Sequence, residues 1–192
     1  MKRTLLISAL WLSIGFVYGQ TTWIIDPVHS SVQFEVSHLT VSSVTGFFTS
    51  YSGTVISKGE NFNDAKINST IDVASITTNN LERDKHLKED DFFNAEKYPK
   101  INFVSTKFNM TEDNTYIIEG DLTIREMTKK VVLTGEFGGI VSINDVKKAG
   151  FTAKGRINRF DFGLKWDDLL DNGGLMVGEE VDLILKVELV KK

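Results

Sequence analysis

The chain has 192 residues, with 22 basic and 26 acidic side chains, a net charge of −4 and no cysteine. That length holds one domain or two small ones, and 41% hydrophobic with 25% charged residues excludes disorder. Mild acidity without a basic arm excludes an electrostatic nucleic-acid partner. The missing cysteines exclude a disulfide framework, a thiol nucleophile, a zinc ribbon and an iron–sulfur site.

Lys2 and Arg3 precede an uncharged run from Leu5 to Val17, and the chain then reads Val17-Tyr18-Gly19-Gln20. A basic start, a short apolar core and small residues before a break predict a cleavable secretory leader over residues 1–19. A single domain over 20–192 follows. The apolar run is short for a membrane span, so no integral span is expected. Loss of the two leader cations moves the net charge from −4 to −6. The expected location is periplasmic or secreted.

Period-2 alternation dominates thereafter. Val32, Phe34, Val36 and His38 share one face, as do Ile67, Ser69, Ile71 and Val73. The same holds for Tyr116 to Ile124, Val131 to Phe137, Ala149 to Ile157 and Val181 to Leu189. Two more strands fit Gly46–Ser57 and Ile101–Phe108, with a short one at Trp23–Asp26. One helix interrupts them over Leu81–Glu89, with Asn79 as cap and Glu82 as its capping-box partner; Pro99 bars continuation past Tyr98. About eight strands with one apolar face each, joined by short turns such as Glu112-Asp113-Asn114 and Arg125-Glu126-Met127-Thr128, predict an all-β protein. The expected architecture is an extended eight-stranded antiparallel up-and-down barrel, with the helix outside or at an end.

The inward set is rich in small residues: Ser69, Gly120, Gly135, Ala149, Ala153 and Gly155. Either they leave a cavity walled by Phe34, Phe103, Phe137 and Phe151, or they alternate with large residues to fill the barrel's taper. The segment Asp161–Glu179 carries Leu164, Trp166, Leu169, Leu170, Leu175 and Met176 among glycines. It is too long for a hairpin turn and too apolar for open solvent, which makes it a portal flap or a plug at one barrel end.

The three histidines, His29, His38 and His86, lack the close spacing of a metal motif, and no nucleophile elbow exists. In Asp26-Pro27-Val28-His29-Ser30, Asp26 and Ser30 are read as bonding local backbone at a strand entry. Arg83-Asp84-Lys85-His86 is read as a structural polar cluster on the helix.

Several blocks together resemble the YceI-like family. They are Trp23-Ile24-Ile25-Asp26-Pro27-Val28-His29-Ser30 with Phe34 and His38; Gly46-Phe47-Phe48 and Gly53; and Asn80 to Leu87 with Asp91-Phe92-Phe93 and Tyr98-Pro99. Gly120 to Arg125 with Thr128-Lys129 follows, then Arg159 to Gly163, Trp166 and Val177 to Val181. The resemblance implies a lipocalin-like barrel that binds long amphiphiles, notably polyisoprenoids such as polyprenyl phosphates or isoprenoid quinones. It implies no catalytic residue, metal or cofactor. One departure is Glu126, where the family commonly has glycine after the arginine.

The expected ligand-binding residues are Phe34, Val36, His38, Ile71, Phe103, Tyr116, Leu122, Leu133, Phe151, Ala153, Trp166, Leu183 and Leu185. Arg125, Lys129, Lys130, Lys147 and Lys148 are candidates for an anionic headgroup, and His38 and Tyr116 for a neutral one. Two other functions stay open. One is a hydrolase or isomerase using Asp26, His29 and His86; the other is a packed barrel whose flap contacts an envelope protein. A homodimer is equally open.

Overall fold

The computed structural model describes residues 19–111, 115–170 and 173–192. The expected leader up to residue 18 and the turn Glu112-Asp113-Asn114 lie outside the described residues. Strands β1 (Gln20–Ile25) and β2 (Ser31–His38) run in line. Strands β3 (Ser42–Phe48) and β4 (Tyr51–Lys58) form a second broken pair, with β3 on β2 and β4 on β1. Next come β5 (Asn61–Asp72) and a short β6 (Ile76–Thr77) that pairs with β3. Four long strands follow: β7 (Lys100–Met110), β8 (Thr115–Ile124), β9 (Met127–Ile143) and β10 (Val146–Asn158). Strand β11 (Val177–Lys191) closes the sheet, with Val32 to Val36 of β2 along one part and Trp23 to Ile25 of β1 along the other. All pairings are antiparallel, and the eight strand positions follow chain order around a closed barrel.

The expected barrel is therefore the observed one, with two additions that alternation cannot reveal. First, Pro27 has no N–H for a ladder, so the opening strand breaks at Asp26–Ser30. The break is stitched by side chains. The Val28 N–H donates to Asp26 Oδ1 (3.0 Å), and Ser30 Oγ accepts from the Glu188 N–H (2.9 Å). Tyr51 Oη donates to the Ser30 carbonyl (2.5 Å). The reading of Asp26 as bonding local backbone thus agrees with the structure, whereas Ser30 bonds the distant backbone of Glu188 across the sheet. Second, the strand expected over Gly46–Ser57 is interrupted at Thr49-Ser50, opposite the first break.

The helix α1 (Leu81–His86) is shorter than expected, and its cap is Asn80, whose side chain accepts from the Arg83 N–H. Asn79 instead takes a left-handed conformation (φ 60°) just before it. The chain after His86 folds into consecutive turns up to Pro99, which place Leu87, Phe92 and Phe93 against one end of the barrel.

The opposite end is closed by an aromatic plug. Trp23 is fully buried, donates Nε1–H to Ser57 Oγ (2.9 Å) and packs 5.2 Å from Phe62. Phe62 meets Phe151 edge-on at 4.8 Å, and Phe137 lies 4.9 Å from Phe151. Tyr116 joins this plug at 4.9 Å from Phe108. No helix among the described residues is long and apolar enough to cross a membrane.

Candidate functional site

Between the plug and the α1 end, the barrel is hollow. A cavity of about 230 Å³, counted as space where the centre of a water molecule can move, runs down the axis. A single buried water needs roughly 10–15 Å³ by the same measure, so this void is far beyond a packing defect. Its wall is almost wholly apolar, so filling it with water would leave that water without partners. Such a space suits a hydrophobic chain.

The small inward residues explain the hollow in an indirect way. Gly46 lies beneath Phe34, where a Cβ would sit 2.2 Å from the ring; Gly120 lies beneath Phe103 in the same manner, at 2.4 Å. Gly155 likewise lies under Leu133. The glycines are thus covered, not open. They let bulky side chains of neighbouring strands lie flat on the wall, which keeps those groups out of the lumen.

Ten of the thirteen expected residues line this lumen: Phe34, Val36, Ile71, Phe103, Leu122, Leu133, Phe151, Ala153, Leu183 and Leu185. Tyr116 does not; its ring is drawn into the plug by Phe108, Phe137 and Phe151, and burial pushes its hydroxyl pKa up. Phe137, expected on the cavity wall, is likewise part of the plug. His38 and Trp166 sit one step outward, in a vestibule of about 160 Å³ that they share with Arg83, His86 and Thr78. Phe34, Leu87 and Phe92 border both spaces, so the vestibule is the mouth of the cavity.

Several lining residues escaped the sequence reading. Leu87, Phe92 and Phe93 come from the turns after α1, where no periodicity marks an inward face. Those turns are held by two polar clamps. Asp84 accepts from the Thr78 N–H (2.7 Å), Thr78 Oγ1 (2.6 Å) and Thr77 Oγ1 (3.1 Å). Burial raises its carboxyl pKa, but these bonds win and the net shift is downward. Arg125 Nη1 donates to the carbonyls of Asp90 (2.8 Å), Phe92 (3.0 Å) and Gly163 (2.8 Å), joining the post-helix turns to the segment after β10. Arg125 is therefore committed to structure and does not serve as a headgroup cation. Lys147 pairs with Glu60, and Lys148 with Glu188 and Asp26; Lys129 and Lys130 are exposed, Lys129 opposite Leu122 and Lys130 opposite Asp121. Glu126, the departure from the family pattern, accepts from Tyr98 Oη at 3.0 Å.

The segment expected as flap or plug does some of both. Phe162 and Leu164 are buried in the barrel end, Trp166 stacks on Phe92 at 5.8 Å, and Leu169 bridges Leu175 while remaining exposed. Leu164 lines the lumen and Trp166 the vestibule, so these two residues wall the mouth.

The residues of the enzyme reading do not converge. His86 borders the vestibule and bonds Asp91 (2.8 Å), whereas Asp26 and His29 border neither space. The Asp26 carboxyl is lowered to a pKa of about 2, chiefly by its bond to His29 Nδ1 (2.9 Å). Asp26, His29 and Glu188 come within metal-ligand spacing of one another. Lys148 Nζ, at 2.6 Å from Glu188 and 3.3 Å from Asp26, already supplies a cation there.

Known proteins share this architecture. The UPF0312 protein plu2095 of Photorhabdus laumondii is 35% identical over 175 residues, which is 85% of this chain and 82% of that one. The YceI protein of Campylobacter jejuni superimposes with a TM-score of 0.67 at 31% identity, covering 81% of this chain and 90% of that one. A polyisoprenoid binding domain from Saccharophagus degradans has the same fold at a TM-score of 0.61 and 13% identity, covering 87% and 97%. The family model of the YceI-like domain matches residues 23–189, and the chain belongs to that family.

Proposed function

We propose that this protein holds a polyisoprenoid, or a similar long-chain amphiphile, inside its barrel for transport, storage or sequestration. The observation that carries the reading is the continuous apolar lumen, plugged at one end and opening at the other into a vestibule with His38, Arg83 and His86. A chain enters tail first, and its headgroup stays at the polar mouth. The polyisoprenoid-binding neighbour supports this assignment through its shared fold. So does the magnitude: burial stabilises by about 0.8 kcal/mol per methylene, so ten buried carbons supply about 8 kcal/mol before ordering costs are subtracted. That gross figure corresponds to micromolar binding. The leader-like residues 1–19 support a periplasmic or secreted location in this reading. A binding role without turnover agrees with the scattered polar residues of the enzyme reading.

The test is loading and recovery. The protein is incubated with an isoprenoid quinone or a polyprenyl phosphate in detergent, re-isolated by gel filtration and extracted. Recovery of about one lipid per chain is expected. Failure to retain either lipid, with the protein folded, would contradict the proposal.

A further inference from the structure

Among the described residues that line the lumen, Arg159 is the one charged side chain, and it is only 2% exposed. Its Nε donates to the Gly178 carbonyl (2.8 Å), Nη1 to the Leu164 carbonyl (2.8 Å) and Nη2 to the Val177 carbonyl (3.0 Å). All three acceptors are neutral. Among the described residues, no carboxylate stands within ion-pairing distance of this guanidinium. Arg125 and Arg156, by contrast, reach Asp90 and Asp182. Phe160 lies beneath the guanidinium at 4.2 Å. Asp167 and Glu179 act on it only through space, and burial outweighs them, lowering its pKa from the usual range. The group nevertheless keeps its charge at neutral pH. A guanidinium has five N–H donors, so two remain after the three carbonyls are served.

A buried cation without a counter-charge is costly. An anion delivered through the lumen offsets that cost, whereas a neutral headgroup does not. We propose that Arg159 anchors the ligand headgroup and that the bound amphiphile is anionic, offering a carboxylate or phosphate oxygen to the guanidinium. This rests on the carrier reading above. The anchor is held by the Leu164, Val177 and Gly178 carbonyls and leaves the tail directed toward the aromatic plug. Charge-assisted bonds to a guanidinium are about twice as strong as neutral ones, so the headgroup sets selectivity while the chain supplies affinity.

The test uses three probes with one chain: palmitoleate, palmitoleyl phosphate and palmitoleyl alcohol, each displacing an uncharged hydrophobic dye at pH 8. The two anions are expected to bind about tenfold or more tightly than the alcohol. In Arg159→Gln the anions fall to the alcohol's level, and Arg159→Lys keeps part of the preference. Should Arg159→Gln not fold, the wild type alone decides through pH. The carboxylate preference then disappears as palmitoleate protonates below about pH 5, while the phosphate monoanion keeps its advantage. Equal binding of alcohol and anions to the wild type, or an undiminished preference in folded Arg159→Gln, overturns the anchor and leaves the carrier reading standing. Displacement by none of the three probes overturns the carrier reading itself. A preference for only one anion identifies carboxylate or phosphate as the headgroup.

Discussion

Replacing Ala153 by leucine separates a hollow barrel from a packed one. Ala153 lines the lumen from β10, between Gly135 on β9 and Leu185 on β11. Leucine adds three carbons, which the cavity of about 230 Å³ has room to receive. At about 0.8 kcal/mol per carbon the gain is about 2 kcal/mol, less about 0.5–1 kcal/mol for the lost rotamer freedom of leucine. The expected change is a stabilisation of about 1–2 kcal/mol, visible as a higher urea midpoint at constant m. The same side chain occupies the ligand's space, so dye uptake and lipid retention fall. In a filled barrel the substitution overpacks and costs about 1–3 kcal/mol. A destabilisation of that size, with lipid retention unchanged, would refute the hollow lumen.

Other substitutions test the supports around the lumen. Gly120→Ala places a Cβ 2.4 Å from the Phe103 ring and 2.7 Å from the Val104 carbonyl, so both a loss of about 1–3 kcal/mol in urea melts and weaker lipid binding are expected. Phe62→Ala opens the aromatic plug and is expected to cost about 3–5 kcal/mol by the same assay. Arg125→Ala frees the post-helix turns from the segment after β10; faster amide exchange from Asp90 to Phe93 and at Gly163 is the expected signature. For acid, Asp26 is held at a pKa of about 2, below its ordinary 3.8, and Asp84 is shifted in the same direction. Their stabilisation is therefore complete above about pH 5 and declines as pH falls below the ordinary value, the share of Asp26 disappearing as pH falls through about 2. Asp26→Asn is expected to lose about 1 kcal/mol at pH 7, after allowance for solvent screening, and to flatten that part of the acid-unfolding curve.

The barrel was legible because every long strand buries one face, and burial on one face writes period 2 into the chain. The helix position was also legible from its polar cap and Pro99, although the capping side chain is Asn80, one residue later than spacing suggested. The site was readable only in part. Phe34, Phe103, Leu133 and Leu185 alternate on regular strands, so their inward direction follows from parity. Tyr116 has the same parity, but its depth along the axis, which alternation does not encode, puts it in the plug. Leu87, Phe92 and Phe93 sit in irregular turns fixed by Asp84 and Arg125, contacts between segments distant in sequence. Arg159 stands in a block that resembles the family, but its burial at the lumen was not legible because its three acceptors are backbone carbonyls, which every residue carries.

The central claim is that the lumen of this barrel holds one long amphiphile, and mass spectrometry of the protein purified from its native source tests it most directly. Gentle ionisation of the intact protein is followed by organic extraction and identification of whatever is released. The account predicts a stoichiometric adduct that extracts as a long-chain amphiphile with an ionisable headgroup. A bare protein mass that persists after incubation with prenyl and fatty amphiphiles would contradict it.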